Sequence, residues 1–117
     1  KSGKIINMSS IAGTLGFANL SGYVMSKSAI IGLSKSLSVE FADKNIQVNV
    51  LAPGFCKTSY FDSFQENKEL YDFTLSRIPM DRWGESKEIA DVCVFLASSM
   101  SNYMTGTVLE VDGGWSA

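Results

Sequence analysis

Ile46-Gln47-Val48-Asn49-Val50-Leu51-Ala52-Pro53-Gly54 holds a strand and its termination in one short run. Ile46 to Leu51 is rich in β-branched residues, which favour an extended, buried chain. Proline lacks a backbone N–H and glycine permits conformations closed to other residues, so Pro53-Gly54 ends the strand and opens a loop. Upstream, from Ser21 to about Lys44, Ile30, Leu33, Leu37 and Phe41 recur at three- and four-residue spacing. That spacing predicts a long amphipathic helix with Ser21 as its N-cap. Further upstream, residues 4 to 9 form a short apolar stretch that runs into Ser10, Gly13 and Gly16, which reads as a buried strand feeding a loop.

Downstream, residues 60 to 78 mix aromatic and charged side chains and stop at Pro79, predicting a short helix with an irregular approach that half-buries its rings. Ser86 is the expected cap of another helix running to about Ser99, with Ile89, Val92, Cys93 and Leu96 on one face, and Val108 to Val111 is a last strand before Gly113-Gly114. Strands alternating with helices imply an α/β fold with a parallel sheet, three strands and flanking helices, joined by right-handed crossovers. Such sheets carry their ligand site beyond the carboxyl ends of the strands, which places the loops at Ser10 and Pro53 on one edge. No internal repeat or interdomain linker interrupts the pattern.

Composition narrows the function. With 45% apolar and 19% charged residues in 117, the chain is globular rather than disordered. A net charge of -2 with interspersed signs offers no basic block for nucleic acid or an anionic membrane. There is no histidine, and Cys56 and Cys93 are far apart, so neither a zinc site nor a Ser-His-Asp triad is expected. No run approaches the roughly 20 apolar residues of a membrane span, and no signal-peptide core opens the sequence, so a cytoplasmic, reducing setting is expected.

Tyr23 and Lys27 stand four apart on the predicted helix, so both project from one face, about one turn apart. An ammonium beside a phenol favours the phenolate, which turns a poor acid-base group into a useful one. Taken alone the pair proves little, because most tyrosines four residues from a lysine merely cover a helix surface. Its company gives it weight: Ser10 follows the first strand, and Pro53-Gly54-Phe55-Cys56-Lys57-Thr58 follows the second.

Strand-Ser, Tyr-x-x-x-Lys, Asn-x-x-x-Pro-Gly-x-x-x-Thr and a terminal Asp-Gly-Gly occur here in order, as Ile5 to Ser10, Tyr23 to Lys27, Asn49 to Thr58 and Asp112 to Gly114. In this the chain resembles the short-chain dehydrogenase/reductase family over essentially its whole length. The resemblance implies that residues 1–117 are the C-terminal half of a single Rossmann-type NAD(P)-binding domain, a doubly wound parallel sheet. It implies oxidoreductase activity, a hydride passing between NAD or NADP and a small-molecule carbonyl or secondary alcohol. Tyr23 would be the acid or base at the substrate oxygen, Lys27 would hold the nicotinamide ribose and tune Tyr23, and Ser10 would hydrogen-bond the substrate oxygen. Tyr23, Lys27, Pro53, Gly54, Cys56 and Thr58 would form the cofactor side of the site, Cys56 through its backbone with an inert thiol. The variable segment from Tyr60 to Phe73 would cover the substrate.

Within the family the look is that of a 3-oxoacyl-(acyl-carrier-protein) reductase, with Lys44 near a position that meets the carrier. Sugar or steroid alcohol dehydrogenases, and epimerases or dehydratases that share Tyr-x-x-x-Lys, are the neighbouring alternatives. The long helix and last strand resemble surfaces that make homodimers and homotetramers. The family's glycine-rich, pyrophosphate-binding half is not found among these residues, so this length alone is expected to be inactive. The rival expectation is a truncated, non-catalytic oligomerisation module.

Overall fold

The computed structural model describes residues 2–117. In chain order its elements are β1 (Gly3–Met8), α1 (Ser21–Phe41), β2 (Ile46–Pro53), β3 (Cys56–Lys57), α2 (Phe61–Glu66), α3 (Lys68–Arg77), β4 (Gly84–Glu85), α4 (Ser86–Ala97) and β5 (Val108–Val111). Short 3-10 turns follow β1, α1 and α4. β2 is the middle of a three-stranded sheet ordered β1-β2-β5. It pairs in parallel with β1 from Gly3↔Ile46 to Met8↔Leu51, and with β5 from Val50↔Val108 to Pro53↔Val111. Val48 to Ala52 are all buried. Successive strand residues face opposite ways, so β2 is covered on both faces, as the apolar run from Ile46 predicts.

One buried polar residue sits inside that strand. Asn49, buried, donates from Nδ2 to the Met104 carbonyl at 3.0 Å and accepts the Thr107 N–H at 3.1 Å. It clips the loop before β5 to the sheet and leaves neither amide atom unmet. Gly106 in that loop has φ +73°, and a Cβ there would lie 2.7 Å from Ser38 Oγ, so only glycine lets the loop pass under α1.

Five expectations need correction. β1 is half-buried rather than buried, with Ile5 and Met8 exposed, because among the described residues it pairs only along its β2 edge. Leu33 on α1 is also exposed; the buried positions are Ile31, Ser34 and Ser38. The serines are small enough to bring the helix close to the sheet, and each hydroxyl bonds a carbonyl of its own helix, Ile30 O at 2.7 Å and Lys35 O at 2.7 Å. Ser34 Oγ additionally accepts from Asn7 Nδ2 at 2.8 Å, tying α1 to β1.

Neither expected serine cap holds. Ser21 is the first residue of α1, behind a Leu20 that makes no side-chain cap bond. Ser86 is likewise the first residue of α4, whose cap is a reciprocal box between Glu85 and Glu88. The Ser86 hydroxyl instead donates to the Lys57 carbonyl at 2.7 Å. Finally, residues 60 to 78 form two helices rather than one, broken at Asn67, whose side chain caps α3 by accepting the Leu70 N–H.

α2 and α3 fold over the carboxyl end of the sheet onto Trp83, which is 1% exposed. Phe55, Phe61, Phe64 and Tyr71 have ring centroids 4.9 to 5.8 Å from it, the range of favourable aromatic pairs. Among the described residues no helix is long and apolar enough to cross a membrane.

Candidate active site

The first side of the site is the junction of β1 and α1. Ser9, buried, donates its backbone N–H to Leu51 O at 2.9 Å and its hydroxyl to Lys27 O at 2.8 Å, pinning α1 against the strand end. Gly13 makes this possible: a Cβ there would meet Ser9 Oγ, lie 2.8 Å from Ile31 Cδ1 and 2.9 Å from Lys27 O. Ser10 then turns the other way. Its Oγ accepts the Ala12 N–H at 3.1 Å as the cap of the 3-10 turn Ile11–Gly13. With the oxygen so engaged, the hydroxyl proton is free to donate to a ligand.

Tyr23 and Lys27 occupy the first turns of α1. Lys27 Nζ lies 5.7 Å from the Tyr23 ring centroid and 3.5 Å from the Met8 carbonyl. The chain end of β1 thus orients the ammonium while the phenol stays half-exposed.

The second side is the end of β2. Gly54 donates to Val111 O at 3.0 Å, and a Cβ on it would lie 2.6 Å from Asp112 Cβ, so the loop after Pro53 lies flush against the turn after β5. Asp112 holds that turn by accepting the N–H groups of Gly114 and Ser116, each at 3.0 Å. Cys56 then pairs with Gly84 in the small β3–β4 ladder. Burial pushes the Cys56 thiol up from its ordinary value and the Glu88 charge adds to this, so it stays protonated and a poor nucleophile.

Ser10, Tyr23, Lys27, Pro53, Gly54, Cys56 and Thr58, all read from the sequence, line one cleft of 390 Å³. A second hollow of 370 Å³ adjoins it, walled by Ile11, Phe17, Leu20, Phe55 and Phe64. Ser10, Tyr23, Gly54 and Tyr60 border both. A hydroxyl donor and a phenol therefore stand where a polar-edged cleft meets an apolar one. That arrangement suits proton exchange with an oxygen on a largely apolar molecule.

Sequence reasoning did not find Phe17, Leu20 or Trp115. Trp115 backs the hollow, its ring 6.0 Å from Phe17 and 5.1 Å from Phe55, with the Arg77 guanidinium 4.9 Å above it. The only signal was large apolar side chains inside glycine-flanked loops. Of the aromatic stretch from Tyr60 to Phe73, only Tyr60 and Phe64 line the hollow; Phe61 and Tyr71 pack on Trp83, and Phe73 is exposed. Lys44 lies about 30 Å along the helix from Tyr23, by the 1.5 Å rise per residue, and pairs with Asp43 at 3.0 Å.

A family model described as enoyl-(acyl carrier protein) reductase matches residues 1–116. A 3-oxoacyl-(acyl-carrier-protein) reductase of Chlamydia trachomatis is 47% identical over 97% of this chain and 45% of its own length. The 2-dehydro-3-deoxy-D-gluconate 5-dehydrogenase of Bacillus subtilis is 42% identical over 97% of this chain and 44% of its own. Among solved structures, a gluconate 5-dehydrogenase from Burkholderia cenocepacia in complex with NADP and tartrate superposes with a TM-score of 0.93 at 34% identity, over 98% of this chain and 45% of that one. The chain thus spans about half the length of the relatives it matches. Motif order, parallel sheet and family match agree, and the chain belongs to the short-chain dehydrogenase/reductase family.

Proposed function

We propose that this chain is the C-terminal half of an NAD(P)-dependent ketone reductase or secondary-alcohol dehydrogenase. The observation that carries the reading is the shared border: Ser10 and Tyr23 belong at once to the polar-edged cleft and to the apolar hollow.

The cleft fits a nicotinamide riboside. It offers an ammonium at Lys27 for ribose hydroxyls, a hydroxyl at Thr58, and loop backbone at Pro53, Gly54 and Cys56. NAD or NADP, when bound, supplies or accepts the hydride at the substrate carbon. In the reducing direction Ser10 donates a hydrogen bond to the carbonyl oxygen as negative charge grows there. The Tyr23 O–H bond breaks and its proton passes to that oxygen, giving the alcohol. Lys27, held by the Met8 carbonyl, keeps a positive charge beside the phenolate left behind. Oxidation of the alcohol runs the same transfers in reverse.

The finer reading is a 3-oxoacyl-thioester reductase, free or carrier-bound. Ile11, Phe17, Leu20, Phe55 and Phe64 wall the hollow, and among the described residues no cationic side chain lines it, which suits an acyl chain better than the carboxylate and hydroxyls of a gluconate derivative. The exposed face of α1, with Met25, Leu33 and Val39, supports a homo-oligomer built on that helix, a dimer or tetramer. Free thiols at Cys56 and Cys93 suit a reducing cytoplasm.

The test is Tyr23→Phe in the full-length protein. NAD(P)H oxidation driven by a ketone should fall by about two to four orders of magnitude, the range of general acid catalysis, while cofactor affinity stays within about threefold. Unchanged turnover overturns the reading.

A further inference from the structure

Four residues border both hollows, and three of them have a task. Ser10 and Tyr23 meet the reacting oxygen, and Gly54 contributes only backbone. Tyr60 is left. It stands at the head of α2, and its ring is braced by Phe64 at 6.4 Å and Trp83 at 6.2 Å, yet it remains 48% exposed toward the open space. Burial of its other half pushes the phenol above the usual tyrosine range, outweighing the neighbouring Thr58 hydroxyl that favours ionisation. It is therefore a neutral hydrogen-bond donor across the pH range in which such enzymes work. The rest of the hollow is hydrocarbon: Ile11, Phe17, Leu20, Phe55 and Phe64 have no side-chain donor. Once Ser10 and Tyr23 hold the reacting oxygen, Tyr60 is the side-chain donor left for a second polar atom among the described residues that line the hollow.

We propose that Tyr60 is a specificity-determining residue whose hydroxyl recognises a second carbonyl oxygen close to the reacting ketone, so that the site prefers 3-oxo esters and thioesters over simple ketones. This inference rests on the ketone-reductase reading above. The second oxygen lies near the first because Tyr60 sits on the same border as Ser10 and Tyr23, not at the far end of the hollow. A simple ketone leaves this half-exposed donor to water and forgoes the bond that a second carbonyl makes.

The test uses two ketones with equal main-chain length, ethyl acetoacetate and 2-heptanone, on the full-length protein with its cofactor. The quantity read is the preference, the ratio of their kcat/KM values. Tyr60→Phe keeps the ring and its packing on Phe64 and Trp83, and should lower the preference about three- to tenfold, the worth of one hydrogen bond. Tyr60→Leu, which also removes the ring, should lower it at least as far. A preference unmoved by both variants, or an equal fall on the two ketones, overturns the proposal. Wild-type protein that reduces neither ketone nor any other carbonyl with NAD(P)H overturns the ketone-reductase reading itself, and this inference with it.

Discussion

The Trp83 indole N–H donates to the Thr74 hydroxyl at 2.9 Å in the interior, and that hydroxyl donates in turn to the Tyr71 carbonyl at 2.7 Å. This short chain of hydrogen bonds joins α3 to the segment before α4 under the aromatic cover of the site. Trp83→Phe keeps an aromatic ring but removes the donor and part of the volume. The Thr74 oxygen is left without that partner in a dry setting, and a void opens beside Phe64. The expected cost is about 2 to 4 kcal/mol in urea unfolding of the full-length protein. Because Tyr60 and Phe64 lean on the same ring, KM should rise with it.

Gly13 supplies a test of how Ser10 is placed. The added methyl of Gly13→Ala falls on Ser9 Oγ and within 2.9 Å of the Lys27 carbonyl, both rigid parts of the β1–α1 joint. The loop must shift, which costs about 1 to 3 kcal/mol by the usual penalty of overpacking and moves Ser10 away from Tyr23. Turnover should drop more than stability alone explains, measured as kcat on protein shown by circular dichroism to be folded. Gly16→Ala, where nothing lies within 4 Å of the new methyl, should change stability by under about 0.5 kcal/mol.

What was legible in the sequence, and what was not, follows from how each feature is encoded. β2 and its ending could be read because strand content and Pro53-Gly54 lie in one continuous run. Tyr23 and Lys27 could be placed on one face because helical periodicity fixes that geometry whatever the tertiary fold. The buried face of α1 was misread because Ser34 and Ser38 satisfy their hydroxyls on their own helix, and a hydrophobicity pattern counts them as outward-facing. The cap at Ser86 failed for a related reason: Ser86 spends its hydroxyl on Lys57, far along the chain, while Glu85 and Glu88 form the capping box. Trp83 stands between Arg82 and Gly84 in a stretch with no period, so nothing local shows that rings from Phe55 to Tyr71 converge on it. The same holds for Phe17 and Trp115, which meet only when the two chain ends of the sheet are brought together.

Acid should loosen the start of α4. Glu88 accepts both Arg82 nitrogens, at 2.7 and 2.9 Å, and the Glu85 N–H at 3.0 Å; first the Arg82 hydrogen bonds and then the Glu85 N–H bring its carboxyl down to about 2. A folded value below the unfolded one means that the stabilisation is present above the ordinary glutamate range and is lost as pH falls toward about 2. Glu88→Gln should melt below wild type at pH 7, and the gap in Tm should close on acidification. A gap independent of pH would show that the carboxylate contributes only packing.

Asn49 offers the sharpest test of the buried clip, because its two ends demand opposite hydrogen-bonding roles. Its Nδ2 faces the Met104 carbonyl and its Oδ1 faces the Thr107 N–H. Asn49→Leu leaves both backbone groups unmet and should cost about 2 to 6 kcal/mol, from roughly 1 to 3 for each stranded group. Asn49→Asp keeps the acceptor for Thr107 but sets a second oxygen against the Met104 carbonyl. When ionised, that carboxylate is buried and repelled; when protonated, it can donate where the amide did. Its folded-state pKa is therefore raised above the unfolded value, the folded state binds the extra proton, and stability must increase as pH falls toward the ordinary aspartate range. Thermal melts of Asn49→Asp from pH 8 to 5 should show Tm rising on acidification relative to wild type. A flat difference would mean that the Met104 and Thr107 loop has let go of the strand and taken water instead.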